Sequence, residues 1–154
     1  MPARNSIIVK QETGEQYEAV ANAAIYPGQL VEELSTAKVQ KQATAAAVVQ
    51  KMFAIEDYVQ GNEISDVYAA AARVFMRCYG SGEEVYAILA DGENAAIGDR
   101  LESNGGGELR VQDTSSDGSI TNPEALIAFA REAVDASDSA AMALASRRLV
   151  VRIA

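Results

Sequence analysis

Apolar and polar positions alternate at strand spacing through much of this chain. The densest example is residues 83–111. Tyr86 and Ile88 fall on one face of residues 85–89, and Val85, Ala87 and Leu89 on the other. A strand apolar on both faces belongs in a barrel or between two layers. Asp91-Gly92 then supplies the positive-φ residue of a hairpin turn. Ile97-Gly98-Asp99-Arg100-Leu101-Glu102 begins the next strand. Ser103-Asn104-Gly105-Gly106-Gly107 reverses the chain into Leu109-Arg110-Val111.

Other segments repeat this grammar. Ser6-Ile7-Ile8-Val9-Lys10 is β-branched and predicts a strand after a short arm, at an edge where it is able to pair with a neighbouring chain. Thr13-Gly14-Glu15 predicts a turn, and residues 17–24 an extended or irregular run. Pro27-Gly28 is turn chemistry. It leads into a strand over residues 30–34, a turn at Ser35-Thr36-Ala37 and a return through Lys38-Val39-Gln40-Lys41. Val74-Phe75-Met76-Arg77-Cys78-Tyr79 predicts another strand. The closing Arg147-Arg148-Leu149-Val150-Val151-Arg152-Ile153-Ala154 sets Leu149, Val151 and Ile153 on one face and Arg148, Val150 and Arg152 on the other. A last strand so patterned is expected to be tied into a sheet.

Two segments conflict with this β pattern. Ala45, Val48, Val49, Met52, Phe53 and Ile55 fit an amphipathic helix, although residues 48–55 also fit a buried strand. Asn122-Pro123-Glu124 is a good helix start by cap and proline, and Leu126, Phe129, Ala130, Ala133 and Val134 follow at helical spacing. Local propensity favours helix in both places. Residues 114–121 form a polar loop, and residues 136–146 a small-residue connection with a helical turn expected over 140–144.

With 154 residues the chain is expected to form one domain: an arm or edge strand over residues 1–10 and a β-rich body over residues 11–154. Much of its 49% apolar content is alanine and only 6% is aromatic, which favours added stability from oligomer contacts. A net charge of −9 argues against nucleic acid as a partner. No histidine is present, so the commonest general base and metal ligand are missing. The single Cys78 forms no internal disulfide, and its strand context points to a small buried hydrophobe. Met1-Pro2-Ala3-Arg4-Asn5 has no signal-peptide pattern, and no apolar run reaches membrane-spanning length. Synthesis in the cytoplasm without membrane insertion is the expectation.

No catalytic constellation stands out. Gly105-Gly106-Gly107 lacks the Lys-Ser/Thr of a phosphate loop and predicts a hairpin turn. Gly80-Ser81-Gly82 lacks the rest of a nucleophile elbow. Glu56-Asp57 and Asp135-x-Ser137-Asp138 match no calcium loop. The tyrosines at 17, 26, 58, 68, 79 and 86 lack interleaved basic residues and are expected in packing or interfaces. Neither an enzymatic activity nor a cofactor is expected.

The order of motifs resembles the small capsid decoration (cement, or head-stabilising) proteins of tailed bacteriophages. The series runs through Ile25-x-x-Gly28-x-Leu30-Val31, Phe53-Ala54-Ile55-Glu56-Asp57, Ala69-Ala70-Ala71-Ala72-x-Val74 and Gly82-Glu83-Glu84-Val85-Tyr86-Ala87. It continues through Ala96-Ile97-Gly98-Asp99-x-Leu101, Ile127-Ala128-Phe129-Ala130-Arg131-Glu132-Ala133 and Leu149-Val150-Val151-Arg152-Ile153. Such proteins often carry Gly in an Ala-Ala-Gly-x-x-Val turn, where Ala71 and Ala72 stand here. The resemblance implies a mainly β, barrel-like (tulip-type) domain that assembles as a homotrimer on the outside of the expanded head. Its partner would be the major capsid protein and its location the virion surface, after synthesis in the bacterial host. It also implies strands, not helices, over residues 53–57 and 127–134. Ser6, Ile7, Ile8, Val9 and Lys10 are the candidate capsid or subunit interface, and deleting residues 2–10 is expected to abolish binding while leaving a folded core. A carbohydrate- or ligand-binding β domain and a phage tail or baseplate subunit are the alternatives; the first calls for a pocket rimmed by aromatics.

Overall fold

The computed structural model describes residues 4–11, 14–138 and 140–154. It is mainly β. Among the described residues thirteen strands form two large sheets and a small two-stranded one. In chain order they are β1 (Ile8–Lys10), β2 (Gln16–Ala21), β3 (Val31–Glu33), β4 (Lys38–Lys41), β5 (Met52–Ala54), β6 (Arg73–Cys78) and β7 (Glu84–Ile88). Then come β8 (Asn94–Ala95), β9 (Arg100–Ser103), β10 (Leu109–Val111), β11 (Ala128–Ala130), β12 (Val134–Asp135) and β13 (Arg148–Ile153).

The six-stranded sheet has the order β1-β7-β13-β11-β9-β10. Its last strand returns to the far end of β7 through an isolated parallel bridge, Leu89↔Leu109. One isolated bridge is not a ladder, so the sheet does not close into a barrel; of the expected barrel-like domain the structure shows the mainly β class, in a sandwich-like arrangement of sheets. Leu149, Val151 and Ile153 of β13, Val85 and Ala87 of β7, Leu101 of β9 and Leu109 of β10 fill the main core. The closing segment of the chain is thus a central strand, paired with β7 on one side and β11 on the other.

The five-stranded sheet, β3-β4-β2-β6-β5, is antiparallel except where β2 and β4 run parallel. It carries a second core of Ala21, Ile25, Val31, Val39, Met52, Ala54, Tyr68, Val74 and Met76. Strand β5 joins the two cores. Met52 and Ala54 enter the second, and Phe53, on the opposite face, enters the main one. That two-sided burial decides the conflict in favour of strand over Met52–Ala54 alone, because only period 2 delivers consecutive residues to opposite cores; residues 55–57, where the resemblance implied more strand, are not part of it.

The second helix expectation fails for a related reason. Pro123–Ala125 forms only a single 3₁₀ turn. Beyond it, Ala128 and Ala130 are buried in the main core while β11 pairs with both β13 and β9. Sheet pairing on both edges outweighs the alanine preference for helix. The other helical turn lies at Leu144–Arg147, C-terminal to the expected 140–144. The Asp91-Gly92 turn is present, with Gly92 at φ 88°, but it leads into β8, which pairs with β12 instead of folding back on β7. The hairpin through residues 103–107 joins β9 to β10 as expected, and residues 114–121 form a loop closed by the Thr114↔Ile120 bridge.

Candidate interaction surface and a buried arginine

Strand β1 stands at the edge of the six-stranded sheet, where the β-branched run predicts an edge strand. It covers the first half of one edge of β7, with Ile8 opposite Val85 and Lys10 opposite Glu84. Just before it, the Ile7 N–H donates to Glu56 Oε2 at 3.1 Å, and the Ile7 carbonyl accepts from the Tyr86 N–H at 2.8 Å. The five candidate interface residues therefore do different things. Ile7 is fully enclosed in the main core, Ser6, Ile8 and Val9 are half-buried, and Lys10 is exposed. A deletion through residue 7 removes a core side chain as well as an arm.

The other sequence candidates serve the scaffold. Gly107 sits between the sheets, its carbonyl accepting from the Leu30 N–H at 2.8 Å and its N–H donating to Gln42 O at 3.1 Å. Cys78 is half-buried, and desolvation raises its thiol pKa, which lowers the thiolate fraction that nucleophilic chemistry needs. Asp57 accepts from the Gln60 N–H and Asp135 from the Ser137 N–H, so both carboxylates close turns. Among the described residues no group of three or more acidic or cysteine side chains is arranged to hold a metal, and no helix is long and apolar enough to cross a membrane.

Sequence reasoning missed one arrangement. Arg148, the first residue of β13, was expected on the face of the last strand opposite Leu149, and it lies there, yet it is buried to 6% exposure. It lines a cavity of about 210 Å³ together with Arg4, Tyr26, Ile64, Tyr86 and Leu144. Its Nη2 donates to the Ile64 carbonyl at 2.7 Å, and its guanidinium carbon stands 5.9 Å from the centre of the Tyr86 ring. Nη1 is enclosed without a hydrogen-bond partner. Burial lowers the guanidinium pKa from its usual value, with Tyr86 and Glu56 opposing that shift, and an arginine stays a cation throughout. Burial also raises the Tyr86 phenol, with Glu132 adding to the effect. The available signal was a charged residue at a strand position followed by three apolar residues, Leu149, Val150 and Val151.

No protein-family model matches the chain, and no curated protein matches it by sequence. A solved structure does. The crystal structure of the N base of head fiber gp8.5 in bacteriophage phi29 superposes with a TM-score of 0.56, covering 92% of this chain and 95% of that one at 11% sequence identity. The two chains share a fold over almost their whole length.

Proposed function

We propose that this chain is a structural protein of a bacteriophage head, which binds the outside of the expanded shell as a homotrimer and stabilises it through the major capsid protein. The observation that carries this reading is the fold shared with the base of a phage head fiber over 92% of this chain. The ordered motifs of the sequence resemble head decoration proteins, and that line of support is separate from the fold comparison. The mechanism is thermodynamic. A protein that binds only the expanded shell stabilises that state by mass action, by about 2.7 kcal/mol per site when free protein is at 100 times its Kd. Ser6, Ile8, Val9 and Lys10 serve as contact to the shell or to adjacent subunits along the edge of β1, where backbone pairing adds directed hydrogen bonds, while Ile7 anchors the segment in the core.

Co-sedimentation with expanded shells lacking the protein, beside unexpanded shells, tests this directly. Saturable binding to the expanded form alone, by a species of trimer mass, is the expected result. Binding to neither form by the folded protein would overturn it, and six-fold rings would point to a tail subunit. Val9→Lys probes the β1 edge while keeping Ile7 in the core; it is expected to weaken shell binding and leave the fold intact.

A further inference from the structure

The cavity beside Arg148 has features that shell attachment does not require. An enclosed cation is costly unless it is paired. Among the described residues the Arg148 guanidinium makes one hydrogen bond, to the Ile64 carbonyl, and no ion pair. Glu56, the acidic residue acting on it, is engaged by the Ile7 N–H at 3.1 Å. Gly28 secures the position of the guanidinium, since a Cβ there would lie 2.5 Å from Nη1. Arg4 brings a second guanidinium to the same cavity, with Glu132 at 3.9 Å. No carboxylate lines the cavity, although the chain carries a net charge of −9. Apart from Ser65, the remaining walls are apolar and aromatic: Tyr26, Ile64, Tyr86, Leu144 and Ala145.

We propose that this cavity is a binding site for a small organic carboxylate, whose charge pairs with Arg148 and whose apolar stem packs against Tyr26, Tyr86 and Leu144. Its volume of about 210 Å³ exceeds the ~150 Å³ apolar cavity that admits benzene, so a ring bearing a carboxylate fits. A phosphate dianion suits it poorly, because such ions need several convergent donors. A neutral apolar ligand would leave the cation unpaired. The same chemistry is carried by a free small acid and by an acidic side chain of a neighbouring protein.

Benzoate is the first probe, read by NMR shifts of Tyr86 and of the Arg148 guanidinium in the full chain without shells. Saturable shifts are expected, with benzamide and inorganic phosphate at least tenfold weaker. Arg148→Met is expected to weaken benzoate at least tenfold. Ala145→Trp, at an exposed position on the cavity rim, keeps Arg148 and is expected to do the same in a folded protein. Tighter binding of N-acetylglutamate amide than of benzoate would assign the carboxylate to a protein side chain, and the reverse order to a free acid. Equal binding of benzamide, indifference to Ala145→Trp, or no saturable binding of any carboxylate would overturn the proposal. Because shells are absent, none of these outcomes bears on head binding.

Discussion

Leu89 and Leu109 meet in a single parallel bridge, with the Ala90 N–H donating to the Leu109 carbonyl at 2.7 Å. Both side chains are fully buried in the main core. The contact between these two ends of the sheet thus rests on side-chain packing more than on backbone pairing. Leu109→Ala is expected to cost about 3 kcal/mol, lost transfer energy and a residual cavity together. Urea denaturation would show this as a lower midpoint at unchanged slope. Ile97→Ala, at a position 67% exposed, is expected to stay within about 0.5 kcal/mol of the parent.

Ala71 lies at φ 67°, in the left-handed region that L side chains avoid. It occupies the turn where decoration proteins often carry glycine. Its N–H donates to the Ala21 carbonyl at 2.9 Å, which holds the turn against β2. Left-handed backbone costs alanine about 1–2 kcal/mol, and glycine returns part of that gain as lost chain entropy. Ala71→Gly is expected to stabilise by about 0.5–1 kcal/mol. Ala72→Gly, at a neighbouring position without positive φ, is expected to be neutral or destabilising. A fall in melting temperature for Ala71→Gly would contradict the assignment of strain there.

Tyr79 and Tyr68 are both buried, but only one phenol is satisfied. Tyr68 donates to the Ile55 carbonyl at 2.7 Å, whereas the Tyr79 hydroxyl has no partner among the described residues. Tyr79→Phe removes a stranded polar atom and is expected to stabilise by about 1 kcal/mol, while Tyr68→Phe loses a bond and costs about 1 kcal/mol. Burial raises both phenol pKa values in the folded state. The unfolded chain therefore loses these protons first, and stability is full below pH about 10 and falls as pH rises beyond it. Unfolding curves at pH 8 and 11 would show that fall, and it should be smaller in Tyr79→Phe.

Arg147 and Glu108 form a largely buried ion pair at 3.0 Å, and Arg147 Nη1 also donates to the Leu89 carbonyl at 2.7 Å. Removing one partner leaves the other charge enclosed. Glu108→Ala is expected to destabilise by about 3 kcal/mol. Exposed pairs such as Arg73–Glu18, at 3.1 Å, are expected to contribute less than about 1 kcal/mol. Denaturation in low and high salt separates the two classes, since screening weakens the exposed pair more.

Strand character was legible wherever an alternating pattern coincided with turn chemistry, as in residues 83–111 and in β13. At β5 and β11 local spacing favoured helix, and strand was implied there chiefly by the resemblance to decoration proteins. Met52-Phe53-Ala54 and Ala128-Phe129-Ala130 are short, and their neighbours fall at helical spacing. Arg148 was visible as a residue but not as a site. Its meaning depends on Ile64, Tyr86, Tyr26 and Arg4, which lie in four other parts of the chain and converge only in the fold.

By itself the sequence determined the mainly β class, turns such as Asp91-Gly92 and residues 103–107, and the apolar face of β13. Those features follow from residue-to-residue periodicity and from local φ preferences. Only the tertiary structure decided that Ile7 belongs to the core, that Leu89 and Leu109 meet in an isolated bridge, and that Phe53 and its two neighbours face separate cores. Each of these depends on contacts between residues distant in the chain, whose energy no local pattern records.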